Sequence, residues 1–526
     1  MAGFGLTVLL AACGLDSGDQ PAPGVVAPNE AKGFIGGVAA DEPRAALVAR
    51  DVLAGGGTAA DGAVALYFAL AVTYPSTASL GGGGACLVYR PNEDGDSTEA
   101  LEFPARASTL EPAGVERPSA VPGVVRGMAA LHARYGALRW EQLLSPAENL
   151  ARFGFPISRA FAADVGLAAG PLFVDPGAQR LYARTDGTPL GEGDEVTALD
   201  LAGVLAQLRL KGAGEFYTGV MAGRLAAAVQ QAGGTLSLDE LRAVAPAWRE
   251  TASLKYGDNV LHTAPPPSLG GITALRQFAA LAADDRYKEA GPSERPHLAA
   301  EASLRAWRER AQSNDDAPLA AERLEALLAG YDPARHQPAS DLSEPWPSEP
   351  PSGTSFVVID RAGMAVACTV TLNNLFGTGR ILPGFGFFLA AMPRGADPAA
   401  SIAPALLVNH NTHQVFLAAA ATGGAGASSS LAAVLRELLI DQARLPAALA
   451  APRLHNGANP DRTYVEAGMG TEATDQLRER GHAVNDVPAI GRANAISCPG
   501  GLPRSPETCE FGTDPRSMGL AVGGVF

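Results

Sequence analysis

Apolar residues recur at helical spacing through RAALVARDVLAGGGTAADGAVALYFALA, from Arg44 to Ala71, and predict two helices with a glycine stop between them at Gly55-Gly56-Gly57. Thr58 and Asp61 are good capping types for the second helix. Beyond Tyr74-Pro75-Ser76 and the run Leu80-Gly81-Gly82-Gly83-Gly84, the pattern turns to a strand, ACLVYR. Residues 121–158 and the block Leu199 to Val244 read as helix-rich, followed by a strand around Asn259 to Thr263 and the turn Pro265-Pro266-Pro267-Ser268. From about Asp284 to Ser352 the chain becomes charged and rich in Pro and Ser. Too few apolar residues remain in Ala334 to Gly353 to anchor the backbone, so this stretch is expected to be an exposed loop. The texture then reverses at once. TSFVVID, the turn RAGM, AVACTVTL, GFGFFLAA, ALLVNH and VFLAAAA predict a series of β-rich runs, with a hairpin around Asp360 to Met364 as the clearest element. The chain thus reads as helix-rich in its first two thirds and strand-rich in its last third, with no internal repeat.

Composition narrows the choice of partners. The 526 residues allow two to four domains or one large one, and 47% apolar residues can build a substantial core. With 61 Gly and 40 Pro but no G-X-Y period, collagen is excluded, as is a plain helical bundle. The net charge of −15, with Lys only at 32, 211, 255 and 288, makes nucleic acid and anionic lipid poor partners. The apolar run Gly3 to Ala12 ends in Leu10-Ala11-Ala12-Cys13 and a polar, small-residue stretch, which resembles a bacterial lipoprotein lipobox, although no Lys or Arg precedes it. The expectation is a signal peptide over 1–13, a flexible tail over 14–32, and an exported protein, periplasmic or anchored by lipid at Cys13. Cys86 and Cys368 lie in apolar strand-like runs and read as small buried hydrophobes. Cys498 and Cys509 bracket a Pro- and Gly-containing loop and are either a disulfide or two free thiols.

Three features carry possible chemistry. The linker stops at Gly353-Thr354-Ser355, directly before a buried strand. A Thr freed as a new N-terminus holds a general base, its own α-amine, beside its hydroxyl, whereas in an intact chain Thr354 simply starts a strand. ATGGAGASSSLAAVLRELL is a strand, a glycine turn and a helix start, so the N–H groups of Gly426 and Ala427 could face an oxyanion, or the turn could serve packing alone. Thr371-Leu372-Asn373-Asn374 and Phe376-Gly377-Thr378-Gly379 put polar groups at the end of a strand expected to pair with that of Thr354. The eight His form no ligand cluster in the sequence, and neither metal nor organic cofactor is expected.

Taken in order, VARDVLAGGGTAADGAVALYFALAVTYPSTASLGGGGACLVY, VPGVVRGMAALHARYGALRWEQLLSPA, FYTGVMAGRLAAAVQQAGG, APAWRE, APPPSLGGI, VVIDRAGMAVACTVTLNNLFGTG and TDPRS resemble the γ-glutamyltransferase (glutathione hydrolase) family from about Gly33 to the C-terminus. The resemblance implies an α/β fold, the four-layer αββα sandwich of N-terminal nucleophile hydrolases, built as one composite domain. It implies a precursor that cleaves itself before a Thr, giving a large-subunit region 33–353 that ends in the linker 334–353, and a small-subunit region 354–526. The implied substrate is a small γ-glutamyl-type amide, with water or an amine as acceptor, and the two fragments stay associated. The family's oxyanion-hole pair falls on Gly426 and Ala427. Thr371, Asn373 and Ser401 fall where the family holds the nucleophile and the substrate's α-amino and carboxylate groups.

Other positions depart from the family pattern. Counted without a gap, the nucleophile falls on Gly353; a one-residue deletion makes it Thr354. The Arg expected after Phe103 is Pro104, with Arg106 two residues on, and the acid expected after GFGFFLA is absent. Two functions follow. One is a self-processing amidohydrolase or acyltransferase with Thr354 as nucleophile, Gly426 and Ala427 as oxyanion hole, and Asn373 or Thr371 orienting the hydroxyl. The other is an unprocessed, catalytically impaired member that acts as an exported binding lipoprotein. A serine hydrolase of another fold is a distant third, for want of a Ser motif of the right form.

Overall fold

The computed structural model describes Met1 and residues 33–92, 95–110, 118–310, 317–338, 351–393 and 402–525. Cys13, Ser401 and residues 339–350 of the linker lie outside them. The first helices form as their sequence dictates. Helix α1 (Pro43–Ala54) starts on Glu42, whose buried carboxylate accepts from the Ala45 N–H at 2.8 Å, and ends at Gly55. Helix α2 (Ala59–Thr73) starts with a capping box in which Thr58 and Asp61 satisfy one another's amides. Every residue of α2 is buried, as its nearly unbroken apolar sequence requires. Helices α3 (Val124–Tyr135), α4 (Trp140–Phe153), α5 (Gly270–Ala282), α6 (Arg295–Glu309) and α7 (Gly426–Leu435) follow. No helix among the described residues is long and apolar enough to cross a membrane.

Strands β1 (Phe34–Ala40), β2 (Gly83–Arg90), β3 (Ser97–Phe103), β4 (Ala247–Glu250), β5 (Ala252–Tyr256), β6 (Asn259–Thr263), β7 (Pro351–Asp360), β8 (Ala365–Asn374), β9 (Ala403–Asn409), β10 (Gln414–Thr422), β11 (Arg492–Leu502), β12 (Glu510–Thr513) and β13 (Leu520–Val525) build two antiparallel sheets. The first has the order β13-β1-β7-β8-β2-β3-β4 and the second β12-β11-β10-β9-β6-β5. Period-two alternation sorts each strand between two cores. In β7, Phe356 and Val358 point to the helical layer of α1 to α4, while Val357 and Ile359 meet Ala418, Ala420 and Ile496 of the second sheet. Leu417, Ala419 and Ala421 face α5, α6 and α7 on the far side. The result is helices, sheet, sheet, helices: the expected αββα sandwich.

Three expectations need correction. Cys86 and Cys368 are buried, but they are joined by a disulfide, because β2 and β8 place them directly opposite with Cα atoms 4.1 Å apart. The stretch GFGFFLAA is not a strand. Gly384 and Gly386 take φ of 71° and 70°, and the segment makes only isolated bridges, such as Leu389 with Gly81. The exposed linker does not reach Gly353, since Pro351 to Gly353 already pair with β8 and Gly353 is buried. The other cysteine pair, Cys498 and Cys509, is a disulfide.

Candidate active site

Pairing register decides which residues at the start of β7 face the space between the sheets. Gly353 lies opposite Thr371, and Thr371 lies opposite Gly83 of β2. These three share the inter-sheet face, and Gly83 is indispensable there: a Cβ would stand 2.0 Å from the Ala105 nitrogen. A Cβ on Gly353 would approach the Val370 oxygen at 3.1 Å and the Thr422 side chain at 3.7 Å. Thr422, at the end of β10, is fully buried, and its hydroxyl has no hydrogen-bond partner among the described residues. Next to it begins the glycine turn, and Arg492 pairs with Thr422 in the second sheet.

Thr354, one residue on, turns the opposite way. Its hydroxyl donates to the carboxylate of Asp41 at 2.9 Å, and both side chains are fully buried. Asp41, just past β1, also accepts from the Asn494 side-chain amide at 2.8 Å. The same amide reaches the Ser355 oxygens at 2.9 and 3.0 Å, so it ties β11 of the second sheet to β7 of the first. The Arg492 guanidinium donates to the carbonyl of Gly353 at 3.0 Å and to the Tyr74 hydroxyl at 3.2 Å. Burial disfavours its charge, but Tyr74, Asp41 and Asp164 more than offset this and push the group up. Asp164 accepts from Ser76 at 2.7 Å, and burial pushes its carboxyl up against the pull of Ser76 and Arg492. The Gly353–Thr354 peptide bond therefore has a carboxylate on the hydroxyl that follows it and a cation on its carbonyl. Neither Asp41 nor Arg492 stands out in the sequence. Both lie far along the chain from Thr354, and only the sandwich brings them to it.

The other candidate residues take different places. Thr371 does not orient the Thr354 hydroxyl, because the two project from opposite faces of the sheet; its Oγ1 accepts from the Asn373 N–H at 2.8 Å. Asn373 adopts φ of 68° at the bulge ending β8 and donates its side-chain amide to the Ala391 carbonyl at 2.7 Å. The amides of Gly426 and Ala427 donate within the glycine turn, to the Gly423 and Gly424 carbonyls at 3.2 and 3.1 Å. In the intact chain they are thus not presented as an oxyanion hole. Arg106 is exposed, with its backbone bridged to Val121. It follows the Pro104–Ala105 segment that crosses Gly83, about two strand spacings, or ~10 Å, from Gly353 across the sheet. The histidines also depart from expectation. His297, Glu301 and His482 converge, with ligand atoms all within 4.8 Å of one another, well apart in sequence from the Thr354 residues.

Two face-to-face antiparallel sheets between helical layers are the fold of the N-terminal nucleophile hydrolases. The crystal structure of a cephalosporin acylase from Bacillus halodurans shares this fold, with a TM-score of 0.78 over 97% of this chain and 99% of that one at 23% identity. The sequence model described as Gamma-glutamyltranspeptidase matches residues 45–524, and the chain belongs to that enzyme family. Relatives include the glutathione hydrolase proenzymes of Escherichia coli, 29% identical over 92% of this chain and 90% of the relative, and of Pseudomonas aeruginosa, 29% identical over 93% and 94%. The capsule biosynthesis protein CapD proenzyme of Bacillus anthracis is 28% identical over 66% of this chain and 63% of the relative.

Proposed function

We propose that this chain is a self-processing amidohydrolase or acyltransferase of γ-glutamyl-type amides, with Thr354 as nucleophile and Gly353 as the residue it is cleaved from. The observation that carries this reading is the clamp on one peptide bond, with Asp41 at 2.9 Å from the Thr354 hydroxyl and Arg492 at 3.0 Å from the Gly353 carbonyl. In processing, Asp41 takes the hydroxyl proton as Thr354 Oγ1 attacks the Gly353 carbon. Arg492 offsets the charge developing on oxygen, the C–N bond breaks, and the nitrogen of Thr354 takes the proton back from Asp41 and is released as a free amine. Water then hydrolyses the ester, leaving a Gly353 carboxylate.

Departure of Pro351 to Gly353 vacates the place opposite Thr371. A substrate acyl group would occupy that place, its carbonyl on Arg492 where the Gly353 carbonyl had been. Thr371, Asn373 and Thr422 then face the substrate rather than the nucleophile, and the glycine-turn amides of Gly426 and Ala427 become available to it if the turn opens. Arg106, at the rim, and Ser401 are the residues proposed to meet its carboxylate and amine. The acyl-enzyme passes to water or an amine. Both disulfides suit an oxidising compartment, which supports export, with Cys13 as the proposed lipid anchor.

The test is electrophoresis with N-terminal sequencing, run with and without reductant. Cys86–Cys368 links the two regions across the cleavage point, so processed protein should run as one band unreduced and as two when reduced, the smaller beginning Thr354-Ser355-Phe356. One intact chain after reduction would overturn the reading. It would leave the second one, an exported binding protein, which the presence of Gly353 beside Thr371 on the inter-sheet face favours.

A further inference from the structure

Six of the eight histidines lie in two clusters, and the one around α6 is built from both sides of the proposed cleavage point. His297 and Glu301 are four residues apart on α6 and so share a face. His482 follows a short helix in the small-subunit region and points its Nε2 at the Nδ1 of His297, 2.7 Å away. All three residues are buried. The partners of the remaining atoms matter most. The His297 Nε2 faces the Asp332 carbonyl at 2.9 Å; a carbonyl only accepts, so this nitrogen carries the proton, and the Nδ1 lone pair of a neutral His297 accepts the His482 Nε2–H when no ion is bound. The His482 Nδ1 contacts the Thr463 hydroxyl at 3.0 Å, which itself accepts from the Asn456 amide at 3.3 Å. Glu301 is held on one oxygen by His336 at 2.7 Å and on the other by Arg305 at 3.2 Å. His336 in turn reaches Asp461 at 3.1 Å.

Each potential ligand atom is thus backed by an outer partner that orients it, the arrangement by which proteins hold imidazole and carboxylate ligands on a metal. We propose that His297 Nδ1, His482 Nε2 and a Glu301 oxygen form a site for a divalent transition metal of the zinc class, with a water completing the coordination. Two imidazoles and a carboxylate suit zinc in both chemistry and number. To place an ion at about 2.05 Å from each in tetrahedral geometry, the two ring nitrogens part from 2.7 Å to about 3.3 Å and the His482 proton shifts from Nε2 to Nδ1, where the Thr463 hydroxyl oxygen accepts it. The position assigns the ion a structural role. His297 and Glu301 precede Thr354, and His482 follows it, so the metal holds the large- and small-subunit regions together independently of catalysis.

The full chain, stripped with chelator and dialysed against zinc alone, should retain about one equivalent by elemental analysis and unfold at a higher temperature than the stripped protein. Cobalt(II) in place of zinc should give the intense visible bands of a four- or five-coordinate ion. His482→Gln and, separately, Glu301→Gln should each lose the bound metal and the metal-dependent shift in unfolding temperature. Wild-type protein that retains no zinc overturns the proposal without reliance on any variant. Either variant, if folded, that retains zinc as tightly as the wild type also overturns it.

Discussion

Thr354 presents its hydroxyl to a carboxylate sealed from solvent, and Asp41 is held in turn by Asn494. Removing the hydroxyl with Thr354→Ala should abolish both the appearance of the small fragment and turnover of a γ-glutamyl anilide. Asp41→Asn keeps the size and most of the hydrogen bonding but removes the base, so processing, followed by reduced electrophoresis over time, should slow by about 10²- to 10⁴-fold. A loss of stability of about 1–3 kcal/mol from a mismatched buried partner is expected alongside. Buried histidines predict a pH dependence that is separate from chemistry. Burial pushes His455 down to about 3 and His262 down to about 4, both below the value of about 6.5 for an unfolded chain. Between those values the unfolded chain takes up more protons than the native one. The stability contributed by neutral histidine is therefore complete above pH ~6.5 and is lost as pH falls toward 4 and then 3, at up to about 1.4 kcal/mol per pH unit for each. Denaturant midpoints measured across this window should show the slope, and His455→Gln should flatten it.

At the scale of the element, one fact about β7 governs the site: its register against β8 puts Gly353, and not Thr354, on the inter-sheet face beside Thr371. A shift of one residue would exchange the two faces. Gly353→Thr tests the assignment, because it places a hydroxyl on that face at the cost of a 3.1 Å contact with the Val370 oxygen. With Thr354 as nucleophile, the variant should still cleave before Thr354 and lose activity through crowding. Cleavage before residue 353, with a gain in hydrolysis, would show that Gly353 occupies the nucleophile position. Local pattern was sufficient to locate α1, α2, β2, β6 and the β7–β8 hairpin, since each carries its own caps, period and turn. GFGFFLAA misled, because an apolar run that follows two left-handed glycines packs with only isolated bridges to its neighbours. Gly353, Thr354, Thr371 and Asn373 could be nominated from the chain, but the face each occupies follows from pairing with a strand whose register is not written in either segment alone.

For the whole molecule, the two regions divided at Thr354 are interleaved rather than adjacent. The first sheet sets β7, β8 and β13 among β1 to β4, and the second sets β9 to β12 beside β5 and β6. Cleavage would therefore leave a shared core, and Cys86–Cys368 would hold the fragments covalently. After cleavage, reductant alone should separate them only under denaturing conditions; sedimentation of reduced, native protein should still show both fragments travelling together. By itself the sequence determined the helices with their caps, the strands with their alternation, the acidic character and, through many short blocks in order, the family. These are properties of near neighbours in the chain and of residue types in fixed order. Tertiary structure alone decided that Asp41 and Arg492 close on the peptide bond before Thr354, that Cys86 meets Cys368, and that His297, Glu301 and His482 converge. The physical reason is the same in each case. Apart from His297 and Glu301, which share a face of α6, these partners lie 139 to 313 residues apart and become neighbours only when strands pair and the layers pack, which buries polar side chains against one another.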